Sequence, residues 1–355
     1  MEENTNLQTA ELNTKEDELH GENLTERAKV LSPWQTVLKR FFRSKLSVAG
    51  LVILLALFLF SFIGPLCSPW RANNGTAKDY SDPTINGTCI VIEYIGPDGE
   101  TYEVFDVTDG TPFPYKVLDG PSASHWMGID DAGNDILTRL MYGGQVSLTI
   151  GFVVVILETI LGMLLGGLAG YFGKWVDQLI MRIVDILSCI PSLPIMLILY
   201  AVFNSLGIVS ISRLYYMMIV LTLLGWTGTA RLVRGQILSL REQDFMLAAK
   251  ASGLSTAKKI FKHLLPNVIP QLIVFMTLGL GSIILMEATL GYLGIGAPLD
   301  SATWGNMIYS ASDAVFRQYY PNMWLGSGIC ITLAILAFNF VGDGLRDAFD
   351  PKMKR

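Results

Sequence analysis

Charged residues are scarce in this chain of 355 residues, because Asp, Glu, Lys and Arg together make up only 16% of it. Soluble globular domains usually contain about 25% of these residues, whereas 51% of this sequence is hydrophobic. Several apolar stretches approach the roughly 20 residues that a helix needs to cross a bilayer. The shortage of charge therefore excludes a water-soluble globular protein and predicts an all-α polytopic membrane protein.

Cysteine and histidine are also rare, with four and three residues respectively. The cysteines show no metal-ligand spacing, the histidines are scattered, and neither an HExxH zinc motif nor a GxSxG nucleophile elbow occurs. These absences argue against an intramembrane enzyme, and we expect no catalytic residue, metal or cofactor in this chain. Cys67 and Cys89 are placed so that an extracytoplasmic disulfide is possible, and two unpaired cysteines are the alternative.

A phosphate-binding P-loop is missing as well, since no GxxxxGK[ST] motif occurs in the sequence. The chain therefore cannot bind ATP in the P-loop manner. If ATP drives this protein, the nucleotide and its Mg²⁺ must be bound by separate subunits. We expect no nucleic-acid partner.

Six apolar stretches are predicted to cross the membrane as helices, near residues 46–66, 146–172, 176–204, 214–233, 268–295 and 323–341. Residues 1–32 are polar and acidic, which is typical of a disordered tail. Residues 33–45 have the spacing of an amphipathic interfacial helix, although a plain N-terminal extension of the first span is the alternative.

Two prolines, Pro191 and Pro194, interrupt the third predicted span near its centre. Prolines remove backbone donors, so they predict a kink or hinge there. A kink can line a translocation pathway, but prolines are also tolerated in ordinary membrane helices. Both interpretations stay open at this point.

The distribution of Lys and Arg predicts the orientation, because these residues favour the cytoplasmic side of a membrane. Basic residues are concentrated before the first span, in residues 231–262 and in the tail 352–355. Residues 67–142 contain twelve acidic residues but only four basic ones. We therefore predict that both termini are cytoplasmic and that residues 67–144 are extracytoplasmic.

The extracytoplasmic segment contains an insertion over residues 72–120 with its own pattern. Residues 89–95 and 100–107 are rich in β-branched and aromatic residues, and the turn-forming sequence GPDG separates them. This arrangement predicts a small extracellular β-hairpin. The hairpin is either a docking surface or an insertion without a function of its own.

The cytoplasmic stretch 241–266 predicts a compact helical hairpin. Ala248 and Ala249 permit close approach of another surface, and Gly253 stands where a helix end needs a left-handed residue. Ser255 can cap a second short helix, which Pro266 is predicted to stop. Such a hairpin can transmit a rigid-body motion to the spans that it joins.

Ionisable residues within the spans are costly and often functional. Glu158, Asp185 and Glu287 are the candidates, and Asp185 can pair with Arg182 along one helix. Glu287 lies in a glycine-rich span, so we predict that it shapes the translocation route or its gate; polar contact between helices is the alternative.

Residues 297–320 are rich in aromatics and predict a short outer segment, lying on the membrane or dipping into the mouth.

The hairpin spacing resembles the EAA loop of the permease subunits of ABC importers, whose pattern is Glu-Ala-Ala, Gly and Leu-Pro. Five residues match in register: Ala248, Ala249, Gly253, Leu265 and Pro266. Leu247 and His263 depart from the pattern. In that family the loop is the coupling helix, so the resemblance implies an ATPase-coupling site comprising Ala248, Ala249, Gly253, Leu254, Ser255, Leu265 and Pro266.

Other stretches resemble the C-type permease of the oligopeptide and dipeptide importers, from about residue 33 to 351 without the insertion. They are GIDDAGND (128–135), AGYFGKWVD (169–177), ARLVRGQ (230–236), EATLGYLG (287–294), WGN (304–306) and GDGLRDAFDP (342–351). The resemblance implies the type I importer permease fold, with a five-helix core over 145–351 that contains the coupling loop 241–266. The expected pathway residues are Glu287, Pro191, Pro194 and Asp185.

The resemblance also implies a heteromeric complex in the bacterial plasma membrane. Its other members would be a homologous second permease, two cytoplasmic ATPases and an extracytoplasmic solute-binding protein. Short peptides are the expected substrate, and nickel or glycan fragments are the alternatives within the same superfamily. A stand-alone secondary transporter is a further alternative, although neither a clear inverted repeat nor a chain of intramembrane charges is present.

Overall fold

A computed structural model describes residues 33–68, 88–95, 101–108, 118–123, 125–206, 212–298 and 301–350. The predicted tails 1–32 and 352–355 lie outside these residues. Helices dominate the described part, and we number them along the chain as α1 (Pro33–Arg43), α2 (Lys45–Cys67), α3 (Ile136–Phe172), α4 (Lys174–Cys189), α5 (Ser192–Ser205), α6 (Ser212–Leu240), α7 (Asp244–Ala251), α8 (Thr256–Tyr292), α9 (Trp304–Tyr309), α10 (Ala314–Tyr319) and α11 (Pro321–Phe349).

Five of these helices, α2, α3, α6, α8 and α11, are long and apolar enough to cross a membrane. The pair α4 and α5 gives a sixth span if it is counted as one broken helix. The six predicted stretches therefore coincide with five continuous helices and one bent pair. In the described chain the fold is a helical bundle in which α3 packs against α6, α8 and α11.

The bend between α4 and α5 measures 79°, as the two prolines predict for this span. Ile190 has an extended conformation (φ −86°, ψ 121°) because the residue before a proline is pushed out of the helical region. Pro191 then precedes α5, and Pro194 lies in the first turn, where no backbone donor is needed. The break is therefore produced at Pro191, while Pro194 is compatible with the new helix.

Pro266 does not end a helix, which corrects the sequence prediction. A π-helical turn over Lys259–Leu264 precedes it, and α8 then continues to Tyr292. The wider turn relieves the clash between the proline ring and the preceding turn, and the Asn267 side chain donates to the His263 carbonyl at 2.6 Å. A second π turn, Leu59–Ile63, precedes Pro65 within α2 in the same way.

Helix α3 begins at Ile136, ten residues before the predicted start of the second span. Asp135 caps it by accepting a hydrogen bond from the Thr138 backbone N–H at 2.8 Å. Gly143 and Gly144 suggest a loop in the sequence, but they lie in the helix because the buried Trp304 packs directly against them. The Asp135 cap therefore marks the start of the helix, and tertiary packing keeps the two glycines within it.

Two strands occupy part of the predicted insertion, β1 (Thr88–Ile95) and β2 (Thr101–Thr108). They pair antiparallel, with Thr88 opposite Thr108 and Ile95 opposite Thr101. The connecting residues 96–100 and the remainder of the insertion lie outside the described residues. At the end of α2, Cys67 is an exposed free cysteine.

Helix α1 lies across the end of α11. Arg40 donates to the Asp350 carbonyl at 3.0 Å, and the Trp34 and Phe349 rings meet edge to face with centroids 6.0 Å apart. Phe41 is buried, while Trp34, Leu38 and Phe42 form an exposed apolar stripe at four-residue spacing. A stripe of this kind is typical of a helix that lies at a membrane surface.

Close packing in α8 gives a matched test of the bundle. A methyl group added at Gly291 would collide with the Gly305 backbone, whereas one added at Gly279 would meet only Val155 at 3.8 Å. We expect Gly291→Ala to destabilise the protein by about 1–3 kcal/mol through overpacking. Gly279→Ala should be neutral or stabilising by up to about 1 kcal/mol, because alanine favours a helix. Thermal unfolding of the two purified variants measures the difference, and equal midpoints would contradict this packing.

Candidate coupling hairpin and translocation site

The hairpin is formed by α7 and the first turns of α8, and its turn has the geometry of a Schellman motif. Gly253 has φ +68°, its N–H donates to the Lys250 carbonyl at 3.1 Å, and the Leu254 N–H donates to the Ala249 carbonyl at 3.3 Å. No atom of the described residues lies within 4 Å of where a Cβ at Gly253 would be, so its backbone conformation alone requires glycine. The predicted left-handed position is confirmed.

Ser255 begins the second arm of the hairpin by accepting a hydrogen bond from the Lys258 backbone N–H at 3.5 Å. The inner side of the hairpin is anchored by Met246, which is fully buried, and by the buried Ala249. Met246 belongs to a cluster with Ile260 and Leu264 that also includes Val233 and Ile237 of α6. The hairpin is therefore packed rigidly onto the ends of α6 and α8.

The outer side of the hairpin is exposed and partly apolar. Leu247 is 54% exposed and Phe261 is 61% exposed, and Ala248 lies beside Leu247 on this surface. Lys250 and Lys258 are also exposed. We call this the hairpin surface. An exposed apolar patch with charged residues at its edge is a feature of protein-interaction sites.

Ion pairs connect α4 to α6 at the same end of the bundle, which we call the hairpin end. The Arg234 guanidinium contacts both carboxylate oxygens of Asp177, with Nη2 to Oδ2 at 2.6 Å. Arg231 donates to Asp185 at 3.2 Å and to Ser188 at 2.9 Å. Asp185 therefore pairs with Arg231 of a neighbouring helix, and the predicted pairing with Arg182 along α4 is wrong. The cross-helix partner could not be inferred from i, i+3 spacing.

Glu287 is buried near the opposite end of the bundle, which we call the loop end. It is 1% exposed, and its Oε2 accepts a hydrogen bond from the Ser147 hydroxyl at 2.9 Å. The Ser147 oxygen in turn accepts the Trp304 backbone N–H at 3.1 Å. Glu287 therefore joins α8 to α3 and to the start of α9. Its other oxygen, Oε1, has no hydrogen-bond partner among the described residues.

The segment around α9 is inserted between the ends of the long helices rather than lying loosely outside them. Trp304 is fully buried and donates from Nε1 to the Leu140 carbonyl at 3.0 Å. Asn306 donates to the Pro298 carbonyl at 2.6 Å and to the Ser301 carbonyl at 3.0 Å. Of the two predicted arrangements for this segment, insertion among the helix ends is the one observed.

Glu158 is a second acidic residue in the helical core. It faces Gly225 of α6 so closely that a side chain at Gly225 would overlap the carboxylate. Its Oε1 is buried, and it has no hydrogen-bond partner in the part of the chain that the structure describes. Glu158 and Ser147, the partner of Glu287, are eleven residues apart on α3, which is about 16 Å along the helix, so the structure does not bring the intramembrane acids into one site.

Residues 128–135 form a tight loop at the loop end, organised by Asp130. One carboxylate oxygen of Asp130 accepts the backbone N–H groups of Ala132 (3.0 Å) and Asn134 (2.7 Å), and the other accepts from Arg139 at 2.9 Å. Asp135 caps α3 and contacts His125 Nδ1 at 2.9 Å. The acidic residues of this stretch therefore organise the loop itself.

This arrangement predicts a large difference between two adjacent aspartates. We expect Asp130→Ala to destabilise the protein by about 2–4 kcal/mol, because it leaves Arg139 and two backbone donors without their buried acceptor. Asp131→Ala, a change at the exposed neighbour, should cost less than about 0.5 kcal/mol. Thermal unfolding or limited proteolysis near residue 130 distinguishes them, and similar losses would contradict the role of Asp130.

The sequence has relatives whose similarity covers nearly its full length. The dipeptide transport system permease protein DppC of Alkalihalophilus pseudofirmus is 36% identical over 324 residues, which is 91% of each chain. The oligopeptide transport system permease protein OppC of Bacillus subtilis is 35% identical over 329 residues, 92% of each chain. A family model for the binding-protein-dependent transport system inner membrane component matches residues 162–355. The chain belongs to this permease family.

Two further comparisons concern other parts of the permease. The N-terminal TM domain of oligopeptide transport permease C matches residues 32–84, which include α1 and α2. Among solved structures, the inward-facing MetNI methionine ABC transporter is 20% identical, covering 60% of this chain and 97% of that chain at a TM-score of 0.49. As a member of this family the protein is a multi-pass transporter subunit rather than a catalytic enzyme.

The structure of the permease brings the separate sequence signatures together in pairs. The stretches 169–177 and 230–236 meet through Asp177 and Arg234. The stretches 287–294 and 304–306 meet where the backbones of Gly291 and Gly305 touch. Sequence reasoning identified these stretches but not their pairing. It also missed Ser147, since a serine inside an apolar span gives no signal until its partners are known.

Proposed function

We propose that this permease forms half of the translocation pathway of an ATP-driven importer of short peptides and transmits the motion of a partner ATPase through its hairpin. The observation that carries the proposal is the hairpin surface itself. It is exposed, partly apolar and held rigidly on α6 and α8 by the buried Met246. The peptide substrate is proposed from the dipeptide and oligopeptide relatives.

The hairpin has the properties that mechanical coupling needs. A Schellman turn and a buried apolar face prevent it from bending by itself, so a displacement of the hairpin moves α6 and α8 together. The ion pair between Asp177 and Arg234 includes α4 in the same rigid unit. ATP and Mg²⁺ would be held by two partner ATPases, because the chain has no P-loop.

The proposed orientation places the hairpin end and both termini in the cytoplasm and the loop end outside. Basic residues accumulate in and around α1 and in residues 231–262, while residues 67–142 are acidic. The outer loops, including the insertion 72–120, would then face an extracytoplasmic solute-binding protein. A homologous second permease would complete the pathway in the bacterial plasma membrane.

Within the pathway we assign a gating role to Glu287 and a hinge role to the break at Pro191. Glu287 connects α8 to α9 through Ser147 at the proposed outer mouth, so movement of α8 would be communicated to α9. The 79° bend at Pro191 separates α4 from α5, so the two helices can change their angle at this point. Pro194 lies in the first turn of α5. Asp185 connects α4 to α6 through its ion pair with Arg231.

Co-purification through an affinity tag on this chain tests the complex directly. We expect a second permease and two ATPase subunits to be recovered together with it. The matched variant Leu247→Asp, which adds a charge to the hairpin surface, should lose the ATPases and retain the second permease. A chain that purifies alone and transports solute without ATP would contradict the proposal and support a secondary transporter.

A further inference from the structure

A cavity of about 550 Å³ lies at the hairpin end between α6, α8 and α11. Its size is within the range of about 300–1,000 Å³ that is usual for small-molecule sites. Its apolar walls include Leu232, Phe275 and Leu278. Its polar groups are arranged in two pairs at i, i+4 spacing: Asn267 and Gln271 on α8, and Arg346 in the last turn of α11 with Asp350, the residue that ends this helix.

The polar pair on α8 argues against a groove filled by lipid tails. Gln271 is exposed although it lies on the membrane-crossing helix beyond Pro266, and its side chain has no hydrogen-bond partner among the described residues. An amide facing hydrocarbon is costly, so such a residue normally faces a water-filled cavity or another protein.

The pair at the end of α11 provides one positive and one negative group. Side chains four residues apart on a helix are about 5–6 Å apart at their Cβ atoms. An extended peptide covers about 3.3–3.6 Å per residue, so the two charged ends of a dipeptide are separated by about 7 Å. Arg346 is exposed and has no side-chain partner among the described residues, and the carboxylate of Asp350 can accept several hydrogen bonds.

We propose that this cavity binds a di- or tripeptide in its zwitterionic form on the cytoplasmic side of the pathway. Arg346 receives the terminal carboxylate, Asp350 receives the terminal ammonium group, and Asn267 and Gln271 bond to the main-chain amide. Side chains of the peptide lie against Phe275 and Leu278. These apolar residues form no hydrogen bonds with their side chains, so the site accepts peptides of many different sequences. This inference rests on the proposed function and specifies how the permease itself contacts its substrate.

Equilibrium binding of labelled dialanine to the complete complex tests this site. The complex is reconstituted in nanodiscs without ATP and without the solute-binding protein, so that only the membrane subunits can bind the peptide. We expect Arg346→Gln to weaken dialanine binding about tenfold or more, because a charge-assisted hydrogen bond is lost. Binding of C-terminally amidated dialanine, which has no carboxylate for Arg346, should be unchanged by the same substitution.

Complementary variants make the pattern specific. Asp350→Asn should weaken dialanine about tenfold and leave N-acetylated dialanine unchanged. Asp347→Asn serves as the control, since Asp347 is exposed on α11 one residue from Arg346 and is not among the residues that line the cavity. Co-purification of the partner subunits with each variant verifies that the complex is intact.

The outcomes separate this inference from the proposed function. Wild-type complex that takes up no dialanine with ATP would contradict the peptide substrate itself. Wild-type uptake combined with equal dialanine binding by Arg346→Gln would overturn the cavity assignment alone, as would an equal loss for the free and amidated peptides. If Arg346→Gln instead lowers only the phosphatidylglycerol that co-purifies with the complex, the cavity is a lipid site and the inference is wrong.

Discussion

The Gly253→Pro substitution is expected to reduce ATP-driven peptide uptake by more than about tenfold while the chain still inserts into the membrane. Proline cannot adopt φ +68°, and it removes the N–H that donates to the Lys250 carbonyl. The cost to the turn is about 3 kcal/mol, but Gly253 is exposed and distant from the bundle core. The damage should therefore be confined to the hairpin surface. Uptake into proteoliposomes, together with ATPase recovery on a tagged chain, measures it.

A pair of substitutions separates backbone conformation from side-chain size at the same position. Asparagine tolerates the left-handed conformation, whereas valine does not, and the two side chains are similar in size. With no neighbour within 4 Å, Gly253→Asn should retain most of the uptake and Gly253→Val should lose most of it. Equal activities for these two variants would show that the left-handed turn is not what coupling requires.

Glu287→Ala is the second substitution with a large expected effect. It removes the acceptor of the Ser147 hydroxyl and leaves a void in a fully packed region between α3, α8 and α9. We expect a loss of about 2–4 kcal/mol in stability and more than a tenfold loss of uptake. Ser282→Ala, an exposed position on the same helix, should change neither. Thermal unfolding and uptake assays on the assembled complex test both variants.

The gating role of Glu287 is tested separately from its structural role. Glu287→Gln keeps the volume and an oxygen that can accept from Ser147, so the complex should assemble. A change in uptake or in basal ATPase activity is then expected from the altered polarity alone. If uptake, basal ATPase activity and assembly are all unchanged in Glu287→Gln, Glu287 has no part in the gate.

Local features of the sequence predicted the hairpin and the bent span well. The left-handed turn at Gly253 follows from the absence of a side chain, and the break at Pro191 follows from the restriction that proline places on Ile190. Both effects involve only neighbouring residues. Hydropathy likewise located the six apolar stretches. A membrane-crossing segment satisfies its backbone hydrogen bonds within its own helix, so the stretch of apolar side chains is itself a local signal.

Three features of the structure could not be predicted in the same way. Pro266 was expected to end a helix, but the neighbouring π turn allows α8 to continue. Trp304, which is 160 residues further along the chain, packs on Gly144 and keeps it within α3. Asp185 pairs with Arg231 rather than with its neighbour Arg182. In the last two cases a partner far away in sequence decides the outcome.

The coupling hairpin could be predicted because it depends on a sequence motif, whereas the cavity at the hairpin end could not. Ala248, Ala249 and Gly253 were identified from their spacing, and the structure gives them a rigid support. The cavity between α6, α8 and α11 was missed because Gln271 and Arg346 are separated by more than 70 residues and belong to no shared motif. Only their convergence in the bundle suggests a common ligand.

The most direct test of the central proposal is ATP-dependent uptake of a labelled dipeptide by proteoliposomes that contain the complex purified on this chain. The proposal predicts uptake that requires ATP, Mg²⁺ and the solute-binding protein, and that is lost in Gly253→Pro but retained in Gly253→Asn. Uptake by this chain alone, without ATPase subunits and with no response to ATP, would contradict it.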